Sequence, residues 1–206
     1  MGRIIANRNW WLATALLLCV VSSITWYAWN QQRHYRNVLA VKPGVLYRSG
    51  QLTRKGLERV LYENNIATVV SLRGNVQQIH TNHDWEESLC FKNFVHFISI
   101  PLGSTEQRAH PSPGEAYQLI DSAAQQFLEI MSDPVTYPRP VLIHCLAGVH
   151  RTGVMSALFR MEIEGWSKER AIAEMRALGY TDFTSYDPLR DYLVNWQPGR
   201  KAIAGK

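Results

Sequence analysis

The chain has 206 residues, 22 of them Lys or Arg against 17 Asp or Glu, for a net charge of +5. That length suits one domain with a core that needs no staples, and the cysteines Cys19, Cys90 and Cys145 make no disulfide framework, since Cys19 sits in an apolar stretch. The basic excess suits an anionic substrate or an acidic membrane surface; it is too diffuse for nucleic acid, and no Arg/Lys-rich helix argues for one.

Residues 1–9 form a short tail with Arg3 and Arg8. Trp10 to Trp29 then run twenty residues without a charge, the length of a membrane-spanning helix. Trp10 and Trp11 at one end, and Trp26, Tyr27 and Trp29 at the other, fit interfacial aromatic belts. The competing reading is a cleaved signal peptide, but SSITWYAWNQ, where cleavage would fall, is bulky and lacks an A-x-A pattern. The expectation is therefore a single-pass anchor over residues 10–29, followed by a juxtamembrane linker over residues 30–42, a catalytic domain over 43–197 and a tail over 198–206.

Val45 to Gly50 reads as a strand, and Leu52 to Asn65 as a helix with Leu57, Val60 and Leu61 at helical spacing. Ile66 to Leu72 is a β-branched apolar run, hence a buried strand ending at Arg73-Gly74. A short helix at HDWEESLCFK precedes an alternating strand, Asn93 to Ile100. A Pro-containing loop then leads to a helix over Pro113 to Ser132, with proline where a first turn tolerates it. Pro140 to His144 is a further apolar run; helices are expected after it, at Lys168–Leu178 and Pro188–Trp196. Strands alternating with helices predict an α/β fold: a central, mostly parallel sheet flanked by helices and preceded by one transmembrane helix.

The segment HCLAGVHRTG, His144 to Gly153, carries the chemistry. It reads as the exit of a strand, a tight loop and a helix start, where backbone N–H groups converge into an anion site. Cys145 at its mouth would be held as a thiolate by those donors and by Arg151. A phosphate in the same cradle would lie over the sulfur. The amides from Leu146 through Ala147, Gly148, Val149 and His150 to Arg151 would hold its oxygens, and Arg151 would grip two of them in its fork. Gly148 allows backbone angles that other residues resist. Thr152 would hydrogen-bond the sulfur and His144 would support the loop from behind. No metal or cofactor is needed.

The C-x5-R-[ST] pattern after an apolar strand, with a preceding His and an internal Gly, resembles the signature of the cysteine-dependent protein tyrosine phosphatase superfamily. VLYRSGQL, VVSLRG and ISIPLGS are similar to segments of its small, bacterial-type, dual-specificity-like members, so the resemblance covers roughly residues 42–195. It implies a phosphatase that hydrolyses phosphotyrosine, with phosphoserine or phosphothreonine as further substrates, in two steps through a phosphocysteine. Alternatives are an inositol phosphate, inositol pyrophosphate or phosphoinositide phosphatase, and a silent, membrane-anchored phosphate-binding module. The partner is a phosphorylated protein or small molecule. The loop interior has no lysine, which weighs against inositides. Family members bring an Asp from an upstream loop as general acid, yet IPLGSTEQRAHPSP has none. Glu106 is its one carboxylate and His110 its other proton donor, while Asp182 and Asp187 could approach from the far side.

Several residues have blander readings. Cys90 is read as a buried small hydrophobe rather than a disulfide partner of Cys145. His80, His83 and Asp84 are read as a polar turn rather than a metal cluster, and Trp85 and Trp166 as packing residues. Arg48 and Arg73 would line the site or buttress it. The flanking charges give little orientation: a basic N-terminal tail favours an exported domain, a reactive thiol favours the cytoplasm, and the balance tips slightly to export.

Overall fold

A computed structural model describes residues 3–34, 36–73, 84–100, 102, 113–180 and 187–199. Helix α1 (Arg3–His34) is followed by β1 (Leu39–Lys42), β2 (Leu46–Ser49), α2 (Arg54–Glu63), β3 (Thr68–Ser71), α3 (Asp84–Lys92), β4 (His96–Ser99), α4 (Pro113–Ser132), β5 (Val141–His144), α5 (His150–Glu162), α6 (Lys168–Ala177) and α7 (Pro188–Asn195).

The five strands form one sheet in the order β1-β2-β5-β3-β4. β2, β5, β3 and β4 are parallel, and β1 closes the edge antiparallel to β2. The sheet is therefore mixed, as a mostly parallel expectation allows. β1 lies where the linker is expected to continue through Lys42. Its pattern hides that role: of its four residues only Val41 is buried, so no period-two alternation marks it.

The side-chain alternation of a strand feeds two cores. Val69 and Leu142 point to the face covered by α2 and α3, with Leu57, Val60, Leu61, Leu89 and Cys90. Val70, Val141 and Ile143 point to the other face, packed with Phe127, Met131, Leu158, Phe159, Tyr192 and Trp196. β5, buried at all four positions, lies mid-sheet, which is why it reads as a continuous apolar run rather than an alternating one. Caps start the outer helices: Thr53 accepts from Gly56 N at 3.2 Å, Ser167 from Arg170 N at 3.3 Å and Asp187 from Leu189 N at 2.9 Å. α5 has no side-chain cap.

Within α1 the window Trp10–Ala28 has a mean hydropathy of 1.7, and none of it is buried. It is one helix long and apolar enough to cross a membrane, by length and composition.

Candidate active site

The carboxyl end of β5 delivers Cys145, and α5 begins five residues later at His150. Between them the chain turns its carbonyl groups outward. Leu146 O accepts from Gln51 N at 3.0 Å, and Ala147 O from the Asn37 side chain at 2.7 Å. Gly148 O and Val149 O accept from Arg48 Nη2 at 2.6 and 3.3 Å. In a trans peptide the N–H points opposite to the C=O before it. Four outward carbonyls therefore aim the following amides inward, over the sulfur. The Gly148 amide shows the result: it donates to Cys145 Sγ at 3.2 Å. No side chain caps the start of α5, so its first amides adjoin the same concavity.

Gly148 is where glycine is indispensable. Its φ is +74°, and a Cβ there would sit 2.4 Å from Gly50 N. The loop and the end of β2 are in backbone contact at that point.

Thr152 is fully buried, with Oγ1 3.8 Å from Cys145 Sγ. The same oxygen lies 3.4 Å from Arg48 Nη2. A hydroxyl that accepts from a guanidinium keeps its proton for the sulfur. Arg151 is partly exposed, with Nη1 3.5 Å from Leu72 O at the end of β3, so its planar fork stands beside the loop. His150 meets Tyr180 edge to face, centroids 5.0 Å apart. Leu146 is 56% exposed at the rim, whereas Cys145 is 4% exposed, recessed in the cradle.

Arg48 is the functional neighbour whose place the residue pattern left open between rim and buttress. It is 2% exposed and sits beneath the loop. Burial pushes its guanidinium below the ordinary value, and the nearby Cys145 and Glu174 oppose that shift. Arg73 lies to one side and donates to Gln51 Oε1. His144 is buried directly before Cys145, its Nε2 3.8 Å from Glu86 Oε2.

Of the acid candidates, Glu106, His110 and Asp182 lie outside the described residues, as do His80 and His83. Asp187 is engaged elsewhere, accepting from Leu189 N and from the Tyr180 hydroxyl. Cys90 is a fully buried free thiol in the second core, its ionisation pushed up to about 12 by burial and by Glu86 and Glu87. Trp166 is only half-buried, stacked between Arg160 and Arg170 at 4.1 and 3.6 Å, while Trp85 packs on the second core.

A recessed cysteine with an amide turned onto its sulfur, at the start of a helix and beside an arginine, is an arrangement suited to holding an anion over a thiol. A sequence model of the tyrosine phosphatase family matches residues 32–174; the chain belongs to that family. Over 52 residues it is 42% identical to the dual specificity protein phosphatase TpbA of Pseudomonas aeruginosa, a match covering 25% of this chain and 22% of that relative's length. The fold is that of the crystal structure of P. aeruginosa TpbA (TM-score 0.54, 23% identity, 79% of this chain and 86% of that one); a variant of that protein was also crystallised in complex with pTyr. It is likewise that of the core catalytic domain of the PP-IP phosphatase SIW14 from S. cerevisiae (TM-score 0.58, 18% identity, again 79% and 86%).

Proposed function

We propose that this chain is a membrane-anchored phosphatase that hydrolyses phosphomonoesters, phosphotyrosine first and phosphoserine or phosphothreonine after it, through a phosphocysteine on Cys145. The observation that carries this reading is the Gly148 amide bonded to Cys145 Sγ inside a loop whose carbonyls face away. A sulfur so placed faces the amide at hydrogen-bond distance and lies under the spot an oxyanion would occupy.

In the first step the thiolate attacks phosphorus. The P–S bond forms, the ester P–O bond breaks, and the leaving oxygen takes a proton, with Glu106 the proposed donor on residue type and position. In the second step water attacks phosphorus, the P–S bond breaks, and inorganic phosphate leaves as the thiolate is regenerated. The amides from Leu146 to Arg151 and the Arg151 fork hold the equatorial oxygens and bind the developing charge. Thr152 steadies the sulfur as it departs, and His144 holds the loop from behind.

The dual specificity relative supports a phosphoprotein substrate, the pTyr complex of the TpbA variant supports phosphotyrosine, and the absence of lysine from Leu146 to His150 weighs against inositides. The bare apolar span from Trp10 to Ala28 supports the anchor. The catalytic unit runs from Arg36 to about residue 197, seven residues wider at its start than the linker boundary suggests, because Asn37 and β1 belong to it.

The test uses the full chain in detergent with an aryl phosphate. Turnover in the wild type that is lost in Cys145→Ser and Cys145→Ala, with vanadate protecting the thiol from alkylation, is the expected result. Phosphate binding without turnover would leave a silent binding module instead. Higher specificity constants for inositol pyrophosphates than for phosphotyrosyl peptides would overturn the substrate order. Carbonate-resistant co-flotation with lipid vesicles checks the anchor.

A further inference from the structure

Behind the phosphate loop, on the side away from the cradle, four elements meet in a buried polar chain that the two chemical steps leave unused. Glu86 of α3 is 2% exposed. Its Oε1 accepts from the Gln51 side chain, and Gln51 Oε1 in turn accepts from Arg73 at the exit of β3. Its Oε2 faces His144 Nε2 at 3.8 Å, and His144, the last residue of β5, is itself 2% exposed. The backbone of the same Gln51 donates to Leu146 O at 3.0 Å. The chain therefore touches the loop twice, once just before Cys145 and once just after it.

A carboxyl group in this place is costly. The inward residues beside it on α3 are Leu89 and Cys90, and an apolar side chain of similar volume would fill the site without the desolvation cost. A polar group kept there against that cost has its value in what it holds.

We propose that Glu86 is a positioning residue for the nucleophile: through His144 it fixes the strand end that carries Cys145, and through Gln51 it fixes the carbonyl side of the loop at Leu146. The inference rests on Cys145 being the nucleophile. Glu86 touches no substrate atom. The groups around it are Gln51, Arg73 and His144 from the other elements and Cys90 from its own helix. Burial raises its ionisation to about 7, with the Gln51 hydrogen bond and the Arg73 charge opposing. The grip on the imidazole thus changes character near neutrality. Ionised, the carboxylate sets a negative charge 3.8 Å from the imidazole Nε2; protonated, it has lost that charge.

Two profiles of the full chain in detergent, taken from mildly acid to mildly alkaline pH, test this. One is turnover of p-nitrophenyl phosphate; the other is iodoacetate alkylation of Cys145, read by peptide mass. The wild type is expected to show an inflection near pH 7 in both. Glu86→Gln removes it and lowers kcat on the order of tenfold to a hundredfold, as a displaced reacting atom does, with KM little changed. Gln51→Met keeps the volume but deletes the hydrogen bond that holds the ionisation down, so the inflection moves to higher pH. Glu87→Gln, exposed on the same helix, leaves both profiles as in the wild type. A Glu86→Gln protein that keeps the inflection and the wild-type kcat overturns the proposal. Should that variant fail to fold, an inflection unmoved in Gln51→Met overturns it equally. Wild-type silence toward the aryl phosphate would count against the phosphatase reading alone, since the alkylation profile needs no turnover.

Discussion

An arginine at the end of a strand is ordinarily a solvated rim residue, and nothing in the sequence around Arg48 says otherwise. Its role comes from a partner 100 positions away, the carbonyl of Gly148, and only the parallel pairing of β2 with β5 brings the two together. Cys145, Arg151 and Gly148 stand out in the sequence because they share ten consecutive residues; Arg48 under the loop does not, because contact across a sheet leaves no local pattern. Arg48→Met is expected to leave the carbonyl of Gly148 without its donor, at a cost of about 1–3 kcal/mol for a buried acceptor left unpaired, while the carbonyl of Val149 keeps the Gly153 amide at 2.9 Å. Turnover should fall further than stability does, because those carbonyls set the direction of the amides. Urea unfolding beside kcat/KM separates the two effects. Gly148→Ala goes further: with φ at +74° and backbone 2.4 Å from the new methyl, loop and strand must part. It is expected to abolish vanadate protection of Cys145 while the protein still folds, which alkylation and circular dichroism would show together.

Whole elements were legible where their burial is one-sided or complete. α4 matches the expected span from Pro113 to Ser132 end to end, because a proline marks its start and its apolar residues keep helical spacing. β1 was not legible, being an edge strand with one buried side chain. The segment just before it matters as much. Asn37 has a φ of +52° and donates to Ala147 O at 2.7 Å, so the turn that leaves α1 is pinned to the Cys145 loop. Asparagine tolerates that angle better than most residues. Asn37→Ala loses both the donor and the favourable backbone, a combined cost on the order of 2 kcal/mol. Asn37→Gly loses only the donor and should cost about half as much. Thermal melts of the two variants distinguish backbone strain from the hydrogen bond, and a drop in kcat common to both isolates the contribution of Ala147.

At the scale of the whole molecule, one sheet separates two cores, and the site lies where the polar residues of the two faces converge on the end of β5. Arg48 lies beneath the loop and Glu86 on its α3 side, and both are ionisable groups taken out of water. Such groups tie stability to pH. The Glu86 carboxyl ionises at about 7 in the folded chain, raised from the ordinary 4.5 by burial. Between those two values the folded protein holds a proton that the unfolded chain has released. The stabilisation is therefore complete below about pH 4.5 and is lost as pH rises through about 7. Over the full window the loss from this one group is about 3 kcal/mol. Glu86→Gln, neutral at every pH, should flatten that slope. Urea unfolding of the full chain in detergent, followed by tryptophan fluorescence on either side of the window, reads the difference. A wild-type protein no less stable above the window than within it would mean that Glu86 is either solvated or kept ionised by Arg73 throughout.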